Sequence, residues 1–168
     1  MSQQQKNVLW VDDDHQIKRF RYELKIIKRK LLWQVETAIN VSEALEKLSY
    51  HEFDAVILDQ QLPLGQAVKQ KLAELMRQSD LSDLNKTPVW QGCLILYWLR
   101  GVNKQIDNAP DDINPTLTAM NQAYQAKEVN RNIPATILSS FYHEELINAI
   151  NLASEMDTDI TIYAKPTN

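Results

Sequence analysis

The sequence predicts an α/β domain in which a parallel β-sheet carries helices on both faces. Two observations predict this class: short runs rich in apolar residues recur along the chain, and segments with a helical spacing of apolar residues separate them. A third is that four of the runs stop at an acidic, hydroxyl or lysine residue, as buried strands do at the polar rim of a sheet. Strands that alternate with helices in this way join into one sheet through right-handed crossovers.

Length and composition favour a single domain that spans residues 1–168. Of the 168 residues, 44% are hydrophobic, which is enough for a core, and the formal net charge is −4. Lys and Arg are scattered, so nucleic acid is not expected as a direct partner. Cys93 is the only cysteine, which excludes an internal disulfide framework. No apolar stretch reaches the roughly 18 residues of a membrane span, and we expect a soluble cytoplasmic protein.

The first strand is predicted at Val8–Val11, an apolar run that stops at Asp12-Asp13-Asp14. A helix is expected to follow over Ile17–Leu32, where apolar residues recur at helical spacing and basic residues fill the other face. The three aspartates therefore lie where a buried strand meets the start of a helix.

The second and third strands are predicted at Trp33–Ile39 and Asp54–Leu58, with a helix between them. Ser42 is the expected N-cap of that helix, because a serine hydroxyl can accept a hydrogen bond from the first helical turn. The third strand is an apolar run that stops at Asp59. A second strand of the sheet thus ends at a carboxylate.

The last two strands are predicted at Ile133–Leu138 and Ile160–Ala164. The former ends at Ser139-Ser140 and is followed by an expected helix over His143–Met156, and the latter ends at Lys165. Hydroxyl and amine groups therefore follow these strands in the places where carboxylates follow the first and third.

The connection from Pro63 to Pro134 is longer than one crossover helix requires. Gly92–Arg100 has the apolar composition of the crossover helix, and Gly101 is its expected C-terminal stop. This leaves two insertions, at about 65–90 and 102–132. The first is expected to form a polar helix and a loop, and the second a helix over Thr116–Val129.

The polar residues at the strand ends predict a functional site. In open α/β sheets, ligands bind beyond the carboxyl ends of the strands, and a strand order of 2-1-3-4-5, the flavodoxin-like arrangement, would bring these ends together. Carboxylates at Asp12, Asp13 and Asp59 would repel one another unless a hard divalent cation such as Mg²⁺ joined them. Lys165 and the Ser139 hydroxyl could then bind phosphoryl oxygens.

At these residues the sequence resembles the receiver domain of two-component response regulators. The resemblance covers most of the chain outside the two insertions. It rests on four segments in the order of that family: Val11-Asp12-Asp13, Asp59-Gln60-Gln61-Leu62-Pro63, Pro134 to Ser140 and Lys165-Pro166.

The resemblance implies a Mg²⁺-dependent phospho-acceptor site. It implies that Asp59 accepts the phosphoryl group, and that Asp13, Asp59 and the backbone carbonyl of Gln61 ligate Mg²⁺. Asp12 would act through metal-bound water. The chain would then be no enzyme beyond self-catalysed phosphotransfer and dephosphorylation, and Gln61 and Phe141, which flank the acceptor, would influence the lifetime of the phosphoryl group.

The same resemblance gives roles to the other strand ends and names classes of partner. Ser139 takes the position of the switch hydroxyl, Ser140 is small enough to allow phosphoryl access, and Lys165 takes the position of the family's lysine. The phosphoryl donor would be a sensor histidine kinase or a histidine phosphotransfer protein, and a downstream protein target would read the phosphorylated state.

Two features depart from the family pattern. Ile162 stands where the family has an aromatic switch residue, and Tyr163, one step later, faces the other side of the strand. The sequence also stops at Asn168, without the fifth helix of the family. We expect an inserted helix or a second subunit to cover the apolar side of the last two strands, the latter as a homodimer, unless the chain is part of a longer protein.

Two alternative functions remain open on the sequence. A pseudo-receiver would keep the fold and act as a phosphorylation-independent protein-binding module. A haloacid dehalogenase-type phosphatase would use Asp12 as its nucleophile, since Asp12-x-Asp14 after an apolar strand also resembles that motif. The phosphatase interpretation gives Asp59 no role and lacks the acidic pair expected after Lys165.

Overall fold

A computed structural model describes residues 4–13, 25, 29–76, 91–101, 113–139 and 160–164, with the backbone alone at Ser139 and in the last of these segments. Within these residues the strands are β1 (Asn7–Val11), β2 (Gln34–Ala38), β3 (Ala55–Asp59), β4 (Ala135–Ser139) and β5 (Ile160–Ala164). The α-helices are α1 (Val41–Tyr50), α2 (Gln66–Met76), α3 (Gln91–Leu99) and α4 (Ile113–Ala123), and a 3₁₀ helix spans Glu128–Asn130.

The five strands form one parallel sheet in the order β2-β1-β3-β4-β5. This confirms the predicted flavodoxin-like arrangement. The last four residues of β1 are buried, as expected for a central strand covered on both faces. We refer to the edge where the strands begin as the amino edge and to the edge where they end as the carboxyl edge.

The start of α1 differs from the prediction. Asn40, not Ser42, is the N-cap: its backbone is extended, and its Oδ1 accepts a hydrogen bond of 2.8 Å from the Glu43 N–H. Ser42 is buried inside the first turn, where its hydroxyl donates to the Leu64 carbonyl at 2.7 Å and accepts from the Val68 N–H at 3.1 Å. Ser42 therefore joins α1 to the start of α2.

Helix α3 is the predicted crossover helix, and it is buried along its whole length. It contacts β3 and β4 on one side, and α1 and α4 on others. A helix that is apolar all round requires such an environment. Gly101 follows α3 with a φ of +74°, which confirms the predicted C-terminal stop.

The segments predicted as insertions contain two helices, one of which packs on α3. Helix α2 lies in the first and α4 in the second, and the two pack against each other. The helix predicted at Thr116–Val129 begins earlier, at Ile113, because Pro115 is accommodated in the first turn, where its missing N–H has no helical acceptor. It ends at Ala123, and the 3₁₀ helix starts within the predicted remainder and ends one residue beyond it, at Asn130.

Asn130 anchors this segment at the amino edge. Its side chain is fully buried, and Nδ2 donates to the carbonyls of Leu48 (2.9 Å) and His51 (2.7 Å). Its Oδ1 accepts a hydrogen bond of 2.9 Å from the Phe53 N–H. One side chain thus pairs with three backbone groups of α1 and the loop before β3, of which the Leu48 carbonyl also accepts a hydrogen bond of 3.0 Å from the Lys127 N–H.

Other predictions fall outside the described residues. These include most of the helix predicted over Ile17–Leu32 and all of the one over His143–Met156. Among the helices that are described, none has the length and apolar character required to cross a membrane.

Candidate metal centre

The register of the sheet brings the ends of β1 and β3 side by side. Val11 of β1 pairs with Leu58 of β3, so Asp12 and Asp59 occupy the next position on each strand. The Asp12 N–H donates to the Ala38 carbonyl at 2.9 Å, which extends the β1–β2 ladder by one residue. The backbone of both aspartates is therefore held at the carboxyl edge by regular sheet hydrogen bonds.

Three carboxylates converge at this point. Oxygen atoms of Asp12, Asp13 and Asp59 all lie within 4.8 Å of one another. Asp12 is 2% exposed and Asp59 3% exposed, whereas Asp13 is exposed to solvent. The predicted convergence of carboxylates from two separate points of the chain is thus present in the structure.

The donor set matches the chemistry of a hard divalent cation. Three like charges this close repel one another, and a cation between them reverses the sign of that interaction. Mg²⁺ favours oxygen ligands and commonly takes one or two carboxylates while it keeps several waters. Asp13 is the one solvent-exposed carboxylate of the three, so water can reach the cluster from its side.

Of the remaining predicted site residues, the backbone of Ser139 and the whole of Gln61 are described, and both lie at or just beyond the same edge. Leu138 pairs with Asp59, and Ser139, the next residue of β4, pairs with Ala164 of β5. The backbone of Ser139 is therefore one residue past the level of Asp59. Gln61 follows two residues after Asp59 and is partly buried. The side chain of Ser139, and the residues Ser140, Phe141 and Lys165, lie outside what the structure describes.

The residue after Asp59 makes a set of contacts that could not be predicted from the sequence. Gln60 is 3% exposed, and its carbonyl accepts a hydrogen bond of 3.0 Å from the Gln91 N–H at the start of α3. Its side-chain Oε1 accepts from the Cys93 N–H at 2.9 Å, and its Nε2 donates to the Cys93 Sγ at 3.0 Å. The partners are 33 residues apart, so no local pattern in the sequence signals the contact.

Cys93 is a buried free cysteine. Burial raises the pKa of the Cys93 thiol to about 12, and the hydrogen bond from Gln60 opposes that rise in part. Because the thiolate is the reactive form, this thiol is inert near neutral pH. Its contribution lies in packing and in accepting the Gln60 hydrogen bond.

Comparison with protein-family models gives no match, and comparison with curated protein sequences gives none either. Solved structures do match. The receiver domain of a signal transduction histidine kinase from Syntrophus aciditrophicus matches with a TM-score of 0.52 at 18% identity, over 97% of this chain and 80% of that one. The receiver domain of Francisella response regulator 1452 matches with a TM-score of 0.51 at 18% identity, over 97% and 86%.

A third match is the phosphorylated cyanobacterial phytochrome response regulator RcpA, with a TM-score of 0.52 at 14% identity, over 98% of this chain and 84% of that one. Identities this low are informative about fold alone. Together with the strand order, the structural matches establish that the chain has the fold of response regulator receiver domains.

Proposed function

We propose that this chain is a phospho-accepting receiver domain of a two-component or phosphorelay system, in which Asp59 is phosphorylated with Mg²⁺ bound. The observation that carries the proposal is the convergence of Asp12, Asp13 and Asp59 at the carboxyl edge of a receiver-type sheet. Sites at this edge are the usual ligand-binding sites of open α/β sheets.

The residues have distinct roles in this proposal. Asp13, Asp59 and the Gln61 backbone carbonyl hold Mg²⁺, and Asp12 adds a further negative charge to the same site. When bound, Mg²⁺ neutralises charge on the carboxylates and on the incoming phosphoryl group. The burial of Asp59 keeps its carboxylate in one orientation, which suits a reaction that depends on positioning.

The transfer is a displacement at phosphorus. A carboxylate oxygen of Asp59 forms a bond to the phosphorus of a phosphohistidine, and the phosphorus–nitrogen bond breaks as the imidazole nitrogen leaves with its electron pair and takes up a proton from water, so that the histidine ends neutral. Lys165 pairs with the phosphoryl oxygens, the Ser139 hydroxyl donates a hydrogen bond to one of them, and the small Ser140 leaves space for the group. The donor is a sensor histidine kinase or a histidine phosphotransfer protein.

The output is a change in protein binding. Phosphorylation of Asp59 would favour one of two conformations through Ser139 and the segment after β4, and a downstream protein target would distinguish between them. A homodimer through the β4/β5 side is part of this proposal, since β5 is the outer strand of the described sheet. Light scattering tests it, because a strict monomer in both phosphorylation states would exclude the homodimer.

The main test uses a small phosphodonor and an acidic control residue. The protein is incubated with acetyl phosphate and Mg²⁺ and then analysed by intact mass. We expect one phosphoryl adduct that Asp59→Asn abolishes and that Asp54→Asn retains, since Asp54 lies at the opposite edge and accepts a hydrogen bond from the Asn7 N–H.

Two other results would each indicate one of the alternative functions. A folded protein that binds its partners but forms no adduct with phosphohistidine or acetyl phosphate would indicate a pseudo-receiver. An adduct that survives Asp59→Asn and disappears with Asp12→Asn would indicate a phosphatase-type nucleophile at Asp12.

A further inference from the structure

The residue that follows Asp59 is bound to the N-terminus of α3 through both its backbone and its side chain. The first N–H groups of a helix lack helical acceptors and need partners from elsewhere. Here the Gln60 carbonyl accepts from the Gln91 N–H, and Gln60 Oε1 accepts from the Cys93 N–H. Gln60 thus acts as the capping residue of a helix that begins 31 positions later in the sequence.

The orientation of the Gln60 amide follows from its partners. A backbone N–H can only donate, so the Gln60 atom that faces the Cys93 N–H at 2.9 Å must be the carbonyl oxygen. The amide nitrogen then faces the Cys93 Sγ at 3.0 Å and donates to it. With both ends of the amide engaged and the side chain 3% exposed, Gln60 has one conformation available.

Gly92 brings the same helix end into direct contact with Asp59. A Cβ at position 92 would lie 2.5 Å from the Asp59 carbonyl oxygen and 2.9 Å from Gln60 Oε1, so only glycine allows this approach. On its other side, the Gln60 N–H donates to the Leu138 carbonyl at 3.1 Å and holds the chain to β4. The peptide that joins Asp59 to Gln60 is therefore fixed between the sheet and α3.

We propose that Gln60 is a positioning residue for Asp59, and that its contacts with Cys93 couple the acceptor carboxylate to the position of α3. This inference rests on the proposed function of Asp59. A shift of α3 against the sheet would move the Asp59 peptide, and with it the carboxylate that takes the phosphoryl group. Displacements of about 1 Å at a reacting group can lower rates by about a hundredfold, so the coupling has a measurable consequence.

A neighbouring glutamine offers a matched control. Gln91 is 1% exposed, in the same helix end, and its side-chain amide has no hydrogen-bond partner among the described residues. Gln60→Met and Gln91→Met therefore make the same chemical change at similar burial. The first removes two side-chain hydrogen bonds, and the second removes none in the described part of the chain.

The experiment measures the rate constant of phosphoryl adduct formation with acetyl phosphate at saturating Mg²⁺, expressed per folded molecule. We expect Gln60→Met to lower it about tenfold, and Gln91→Met to leave it unchanged. Equal rates for the wild type and both variants would overturn the positioning role while leaving the proposed function intact. A wild type that neither forms the adduct nor binds Mg²⁺ would overturn the proposed function, and this inference with it.

A measurement on the wild type covers the case in which Gln60→Met does not fold. Amide hydrogen exchange is followed with and without Mg²⁺ at the Cys93 N–H and at the Lys127 N–H, which donates to Leu48 at the amino edge. We expect Mg²⁺ to slow exchange at Cys93 severalfold more than at Lys127. A purely structural contact would give equal responses at the two amides, and that result would contradict the coupling.

Discussion

At the amino edge of the sheet the Asn130 side chain pairs with three backbone groups, whereas at the carboxyl edge three carboxylates lie within 4.8 Å of one another. The first arrangement pairs both ends of a buried side-chain amide with the backbone and contributes to folding stability. The second concentrates like charge, which opposes folding in the absence of a cation. On the proposed function, the contacts that stabilise the fold and the residues that bind ligands therefore lie at opposite ends of the same strands.

This separation has a physical basis. A site proposed to bind a cation and a phosphoryl group keeps several carboxylates together, because those ligands interact with the carboxylate charge. The stability lost there must come from elsewhere in the fold. The amino edge and the buried helix α3 are the regions that can supply it.

The largest expected effect is at the amino edge. Asn130→Ala leaves the Leu48 and His51 carbonyls and the Phe53 N–H without a side-chain partner, and should lower the free energy of unfolding by about 3 kcal/mol. Urea denaturation measures it. Asn132→Ala, an exposed neighbour, is the control and should change stability by less than about 0.5 kcal/mol. Equal losses for the two variants would remove the structural role assigned to Asn130.

The second effect is the response of stability to Mg²⁺. At a free Mg²⁺ concentration of about 100 times its Kd, binding to a single site in the native state raises the free energy of unfolding by about 2.7 kcal/mol. We expect thermal unfolding to show this gain in the wild type and in Asp54→Asn, and to show little of it in Asp59→Asn. A gain of the same size in Asp59→Asn would place the cation away from the carboxyl edge.

A smaller effect should have opposite signs at the two edges when no divalent cation is present. Asp13→Asn lowers the negative charge of the cluster and should stabilise the protein by about 1 kcal/mol. Asp54→Asn weakens the hydrogen bond that Asp54 accepts from the Asn7 N–H and should destabilise it slightly. Urea denaturation in EDTA measures both, and a rise in salt concentration should reduce the Asp13 effect. Destabilisation by Asp13→Asn would contradict the inference that the three carboxylates repel one another.

The smallest effect provides a baseline away from both edges. Lys71 and Glu74 form an exposed ion pair of 3.4 Å on α2. Lys71→Ala should change the free energy of unfolding by less than about 0.5 kcal/mol. A larger change in the same urea assay would mean that surface charge affects stability throughout this protein. The different effects of Asp13→Asn and Asp54→Asn could then not be assigned to the two edges.

The features that could be predicted from the sequence are those that local patterns encode. The apolar runs before Asp12 and Asp59 predicted two strands and their polar ends. The general rules for parallel sheets then predicted that these two strands are neighbours, so that the two aspartates lie side by side. The N-cap prediction for α1 was wrong because Ser42 and Asn40 are both residue types that suit this position. Only the hydrogen bond from the Ser42 hydroxyl to the Leu64 carbonyl distinguishes them.

Contacts between distant segments could not be predicted in the same way. Gln60 is an unremarkable residue after Asp59 until α3 is placed against it, and Asn130 lies in a polar stretch that gives no sign of burial. Both depend on how the long connection between β3 and β4 packs against the sheet. A single sequence contains no periodic signal for such packing.

The burial of α3 limits how far this domain could be trimmed. On the sequence, residues 65–90 and 102–132 resemble removable additions, yet they contain α2 and α4, and α4 packs directly on α3. Excision would leave the Leu, Ile, Tyr and Trp side chains of α3 facing water, and a patch of that kind promotes aggregation. A miniaturised version would therefore need a polar outer surface redesigned on α3 before it could stay in solution.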